Sequence, residues 1–287
     1  MAKQSADQGG DWNGQSGERW VANQTRLDAL VAVFGQAAIE AAAPATGERV
    51  LDIGCGAGAS TLALTARVGP GGQVLGVDIS EPLIGRARAL ARHDTPALFQ
   101  VADASSAELP EGAFDILFSR FGVMFFDDPT AAFAHMRPAL RPGGRVAFVC
   151  WRGAAENDWM RLPVGALEGI LPPSALPDPE APGPFSFGDR ERVARILTTA
   201  GLTDIAISPF DAAVRFGEGE TRDAAIDDAV KMTLEVGPLS RALADQPDDI
   251  RARASAAVRA AFAGLPGERS VMIDGAAWIV MARNPAS

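Results

Sequence analysis

Leu27, Leu30, Val31 and Phe34 recur at i, i+3, i+4 and i+7, which predicts an amphipathic helix over 23–43 with Asn23 as its cap. Short apolar runs then alternate with helical spacings. Residues 50–53 read as a buried strand, 59–66 as a helix, and Gly69-Pro70-Gly71-Gly72 as a turn. Residues 73–77, 97–101 and 114–119 read as the next three strands. Ser80 is placed to cap a helix that carries Pro82 in its first turn, where a missing N–H costs little. Asp128-Pro129 opens a further helix, with Phe133, Met136 and Leu140 directed inward. Pro142-Gly143-Gly144 turns the chain into a fifth strand over 145–151.

The second half is less regular. Residues 157–183 are rich in proline and read as a helix followed by an irregular loop. Asp189 caps a helix with Val193, Ile196, Leu197 and Ala200 on one face, and Gly201 ends it. Residues 203–210 form a candidate sixth strand. Residues 223–262 read as two or more helices broken near Gly237-Pro238 and Pro247, and 276–282 as the last strand.

Strands alternating with helices at this spacing predict an α/β fold, a doubly wound and mostly parallel seven-stranded sheet. A helical lid over 217–265 is inserted between the last two strands. The core covers 23–216 and 266–287, and 1–22 is an N-terminal segment expected to be flexible. Right-handed crossovers bring the carboxyl ends of the strands to one side, where ligands bind.

Composition narrows the function. The 287 residues carry a formal net charge of −10, which argues against a phosphate-neutralising nucleic-acid surface. Arg86, Arg88, Arg92 and His93 fall at helical spacing and read as a solvated face. Two cysteines, Cys55 and Cys150, make no disulfide framework and read as small buried residues. No signal peptide or run of transmembrane length is apparent, so a cytoplasmic protein is the default expectation. A homodimer is compatible with the sequence, which does not set the oligomeric state. There is no tyrosine, and neither His93 nor His135 stands out as a base. Asp127-Asp128 reads as a helix cap rather than a metal site, and no metal is expected.

The candidate chemistry begins at Gly54, Gly56 and Gly58, which follow the first strand. Such a turn lets the backbone approach a ligand, and the following helix start presents free N–H groups. The spacing is compatible with a dinucleotide, Ala59 standing where a third glycine would. Asp78 closes the second strand, where a carboxylate can accept from both ribose hydroxyls and repels a 2′-phosphate. Asp103 follows the third strand, within reach of an adenine amino group. Residues 114–121 run the fourth strand toward the same place.

The set Leu51-Asp52-Ile53-Gly54-Cys55-Gly56-Ala57-Gly58, Val77-Asp78, Ala102-Asp103-Ala104, Phe114-Asp115 and Leu140-Arg141-Pro142-Gly143-Gly144 resembles class I S-adenosyl-L-methionine-dependent methyltransferases. Within that class it is most similar to the small-molecule branch of the ubiquinone and menaquinone biosynthesis enzymes. The resemblance is strong over 45–152 and specific for fold and cofactor, not for substrate. It implies a Rossmann-like core that binds S-adenosyl-L-methionine, releases S-adenosyl-L-homocysteine and methylates a small-molecule acceptor. It also implies residue roles. Asp52, Gly54, Cys55, Gly56 and Gly58 would hold the methionine end. Asp78 would bind the ribose, and Ile79 would pack on the adenine. Asp103 and Ala104 would meet the adenine edge. Ser119 and Arg120 would border the sulfonium and the substrate, and Trp20 and Gln24 would cover the cofactor from the N-terminal helix. Two rivals share the early motifs: an NAD-dependent oxidoreductase and a non-catalytic protein that binds the same sulfonium cofactor.

Overall fold

The computed structural model describes residues 14, 21–92, 95–171, 178–236 and 238–286. The N-terminal segment expected to be flexible lies outside the described residues up to Trp20, apart from residue 14, and so does His93.

Helix α1 (Gln24–Ala42) leads into β1 (Arg49–Ile53), α2 (Ala59–Val68), β2 (Gln73–Asp78), α3 (Glu81–Leu90), β3 (Ala97–Val101) and β4 (Phe114–Arg120). Then come α4 (Pro129–Met136), β5 (Leu140–Trp151), α5 (Asp158–Ala166), α6 (Arg190–Thr199) and β6 (Thr203–Glu218). The chain ends with α7 (Arg222–Glu235), α8 (Pro238–Leu243), α9 (Asp248–Ala263) and β7 (Ser270–Arg283). α7 ends at Glu235 and α8 starts at Pro238, and α9 starts at Asp248 directly after Pro247, since a proline has no N–H to give the backbone ladder; Gly237 lies outside the described residues.

The seven strands form one sheet in the order β3-β2-β1-β4-β5-β7-β6. β1 pairs parallel with β2 and β4, β2 with β3, and β4 with β5; β7 runs antiparallel to β5. Val50, Leu51 and Ile116 are fully buried, as expected where helices cover both faces of a parallel sheet. The order of strand connection reverses between β1 and β4, the switch point beyond whose strand ends ligands bind in doubly wound sheets.

Several local expectations change. The fourth helix stops at Met136, and a 3₁₀ turn over Arg137–Ala139 hands the chain to β5, so Leu140 is a strand residue. Pro142-Gly143-Gly144 lies inside that strand. The register shifts between Phe114 and Ile116, and the backbone of Asn284 bonds Gly143 and Gly144 across the irregularity. Asn23 and Ser80 occupy N-cap positions without a side-chain cap bond, whereas Asp128 and Asp189 accept from the N–H groups of Ala131 and Glu191.

The chain forms two compact units. The first runs to Arg152 and adds Pro179–Phe210 and the chain from Ala277 on; the second comprises Gly153–Asp178 and Asp211–Ala276. The second unit holds α5 and α7–α9. In it, Asn157 is fully buried and exchanges two hydrogen bonds with the backbone of Ala276, at 2.9 and 3.1 Å.

Candidate active site

The glycine turn is shaped by close packing on one side and open space on the other. A Cβ on Gly54 would lie 2.7 Å from the Cα of Gly122, and one on Gly58 would lie 2.9 Å from the Phe99 ring. Gly56 has φ +54 and nothing within 4 Å of its missing Cβ, so its outer face is available for close approach of a ligand. The turn hangs from β2: the N–H of Gly54 donates to the carbonyl of Val77 at 2.8 Å.

Asp78 ends β2 and is half-buried. One carboxylate oxygen accepts from the N–H of Gly56 at 2.8 Å and the other from the N–H of Ser80 at 2.9 Å. Burial pushes its carboxyl above the usual carboxylate range, against these two bonds. With a third bond from the Ile79 N–H, the carboxylate keeps acceptor capacity for an incoming hydroxyl. Ile79, beside it, is partly exposed.

Asp52 lies beneath the turn with no exposure. One oxygen accepts from Ser60 Oγ at 2.8 Å and from Thr61 Oγ1 at 2.6 Å, both on α2. Its other oxygen, Oδ1, is buried without a hydrogen-bond partner among the described residues. Burial raises this carboxyl to about 6; the hydroxyl bonds from Thr61 and Ser60 and the field of Arg120 act the other way, and Asp78 adds to the rise. Cys55 is buried in the turn and Cys150 in β5. Both are free thiols pushed up by burial, which fits small packing residues and not nucleophiles.

Ser119 and Arg120 close β4. The Ser119 hydroxyl is fully buried, donating to the carbonyl of Ile53 at 2.7 Å and accepting from the N–H of Gly122 at 3.2 Å. It therefore staples β4 to the glycine turn. Arg120 pairs with Asp28 of α1 at 2.5 Å, and Gly35 leaves the room its side chain needs, since a Cβ there would meet its Cδ at 2.8 Å. Gln24 is buried, donating to Asp28 at 2.9 Å and accepting from Arg86 Nε at 3.2 Å. Asp28, Gly35, Ile39, Ala59, Ser60 and Arg120 line a cleft of about 350 Å³ between α1 and the start of α2.

Asp103 follows β3, the strand next to β2. It is exposed, and its Oδ1 accepts from the Ser105 N–H at 2.9 Å and Ser105 Oγ at 2.7 Å, an Asx turn that holds the loop above buried Ala104. Trp20 lies outside the described residues. Of the other sequence-derived residues, all but Gln24, which lies on α1, fall at or just after the ends of β1, β2, β3 and β4. Asp28 was not singled out from sequence, although Gln24 and Asp28 stand one helical turn apart on α1. Arg86 and Arg88 are not a purely solvated face: Arg86 binds Gln24, and Arg88 donates to the Phe99 carbonyl at 2.8 Å. His135 Nε2 lies 2.8 Å from the Ala107 carbonyl and does structural work. Among the described residues no group of three or more His, Cys, Asp or Glu is placed to hold a metal.

Residues 51–148 match the family described as "Methyltransferase domain". Nocamycin O-methyltransferase of Saccharothrix syringae is 31% identical over 175 residues, 56% of this chain and 61% of that protein. Aklanonic acid methyltransferase DauC of Streptomyces sp. (strain C5) is 38% identical over 117 residues, 40% of this chain and 53% of that protein. The matched stretch thus spans little more than half the length of these relatives. Among solved structures, phosphoethanolamine N-methyltransferase 2 of Haemonchus contortus in complex with S-adenosyl-L-methionine superposes with a TM-score of 0.50 at 19% identity, over 88% of this chain and 52% of that one. Residues 51–148 are thus similar to a methyltransferase domain, and the seven-stranded sheet with its helices is the Rossmann-like α/β fold expected from the sequence.

Proposed function

We propose that the protein is a methyltransferase that uses S-adenosyl-L-methionine to methylate a small-molecule acceptor. The observation that carries this reading is the Asp78–Gly56 bond, which sets an acidic strand tip against the one glycine of the turn whose outer face is open. The surroundings suit a cationic adenosyl compound. Asp52, Asp78 and Asp28 are acidic, and Arg120, which lines the cleft with Asp28, is paired with that aspartate. When bound, the cofactor supplies a methyl group on a sulfonium: an acceptor lone pair forms the new bond to carbon, the C–S bond breaks, and its electron pair stays on S-adenosyl-L-homocysteine.

The chain's own groups act by placement. Asp78 accepts from the ribose hydroxyls, Ile79 packs on the adenine, and Asp103 and Ala104 meet its edge. The turn from Gly54 to Gly58, with Cys55, holds the amino-acid end above Asp52. Gln24 and Arg120 close the α1 side. Positioning two reactants supplies much of the rate of such a displacement, so the lack of an evident base is no obstacle for a nucleophile that is already deprotonated. An oxidoreductase reading is disfavoured by β7, which runs antiparallel between β5 and β6 and breaks the 3-2-1-4-5-6 order of dinucleotide folds. The net charge of −10 argues against a nucleic-acid partner. No helix among the described residues is long and apolar enough to cross a membrane.

Transfer of a labelled methyl group from S-adenosyl-L-methionine to a panel of small phenols, acids and amines tests the reading. Transfer to at least one acceptor, lost in Asp78→Ala and in Asp103→Ala, supports it. Cofactor binding without transfer to any acceptor favours the non-catalytic alternative.

A further inference from the structure

Rings from four elements of the first unit meet beside the end of β4. Phe121 stacks on Trp151 with centroids 4.2 Å apart and planes 21° apart. Phe34 of α1 stands edge-on to both, at 6.1 and 5.0 Å, and Phe210 of β6 is edge-on to Phe34 at 5.7 Å. Phe34 is fully buried and accounts for the packing of α1. Phe121, Trp151 and Phe210 are only partly buried.

Phe121 is held in an uncommon backbone state. Its φ is +62, a left-handed conformation that disfavours an aromatic residue. Ala43 and Asp204 share a positive φ, but Ala43 is a helix C-cap. Phe121 directly follows a strand, with its N–H on the Val149 carbonyl at 3.0 Å. This reversal seats Gly122 against Gly54, where a Cβ on Gly122 would lie 2.9 Å from the Gly54 Cα. One strained residue thus joins the glycine turn to the aromatic pair, and such strain concentrates at functional sites.

We propose that the Phe121–Trp151 pair is the platform on which a planar, aromatic acceptor lies beside the glycine turn. This rests on the methyltransferase reading and adds the acceptor's chemical class. A flat ring gains stacking over its saturated counterpart, roughly a tenfold preference in affinity.

The test titrates the full chain, saturated with S-adenosyl-L-homocysteine, with 2,3-dihydroxynaphthalene and with its fully saturated analogue, following tryptophan fluorescence and heat. The proposal predicts about tenfold tighter binding of the flat diol. Phe121→Asn, which tolerates the left-handed backbone while removing the ring, and Trp151→Leu bring that preference to about twofold or less. Affinity for S-adenosyl-L-homocysteine stays within about twofold in both, and if Trp151→Leu does not fold, Phe121→Asn decides. No binding of either diol, equal binding of the two, or an undiminished preference in Phe121→Asn overturns the platform. So does loss of S-adenosyl-L-homocysteine affinity in Phe121→Asn, which would give the rings to the cofactor. A wild-type chain that prefers the flat diol but does not bind S-adenosyl-L-homocysteine overturns the methyltransferase reading alone.

Discussion

Asp78 holds the N–H of Gly56 at 2.8 Å, across 22 residues of sequence. This bond joins the tip of β2 to the apex of the glycine turn, so the group proposed to bind the ribose also sets the shape of the loop under the methionine end. Asp78→Ala removes both functions. Affinity for S-adenosyl-L-homocysteine falls more than about tenfold, and the Gly56 amide, no longer bonded, exchanges with solvent faster. Calorimetry and amide hydrogen exchange on the folded variant check the two parts separately.

Asp52 gives a pH dependence of definite sign. Its folded carboxyl is pushed up to about 6, above its ordinary value of 3.8, because burial disfavours the charged form. Between those values the folded state holds more protons than the unfolded state, so this group's stabilising contribution is present below about pH 4 and is lost as pH rises through about 6. Asp52→Asn removes the titration. The difference in melting temperature between pH 4.5 and 7.5 changes in the variant in the sense of less loss on raising the pH, measured by thermal melts in matched buffers.

Arg145 ties the end of α1 to the sheet. Its guanidinium donates to the carbonyls of Ala42 and Ala43 at 2.6 and 2.9 Å and to both oxygens of Glu48 at 2.8 and 2.7 Å. The Arg145 bond holds the Glu48 carboxyl below its usual range, so this pair's contribution is present above the unfolded pKa and is lost as acid protonates Glu48. Arg145→Ala is expected to cost about 2 kcal/mol, the range for hydrogen bonds to charged groups. Affinity for S-adenosyl-L-homocysteine stays within about twofold, because the contacts lie at the far end of α1 from Gln24. Urea unfolding and calorimetry check this.

The part of the fold that positions the site was the most legible. β3 has the bounds read from sequence, and β1 and β2 differ by one residue, because each is a short apolar run bounded by turn-forming residues such as Gly54, Gly72 and Pro96. β6 and β7 run well past the expected 210 and before the expected 276. The outer part of β6 carries a period of two, exposed Asp211, Ala213 and Arg215 alternating with the less exposed Phe210, Ala212, Val214 and Phe216, a strand signal that the expected end at 210 passed over. Pro142-Gly143-Gly144 looked like a turn because its strand pairing depends on Asn284, far along the chain. At the site, single residues were legible and their partners were not. Arg120 finds Asp28 across 92 residues, and the role of Ser119 depends on the carbonyl of Ile53, 66 residues away. The stack of Phe121 on Trp151 needs a left-handed backbone that no local pattern announces.

The central claim is that the acidic strand tips and the glycine turn bind an adenosyl sulfonium compound and not a dinucleotide. Parallel calorimetric titrations of the wild-type chain with S-adenosyl-L-homocysteine and with NADH test it most directly. The account predicts saturable one-to-one binding of S-adenosyl-L-homocysteine and no measurable heat with NADH. Tight NADH binding, with none for S-adenosyl-L-homocysteine, would contradict it.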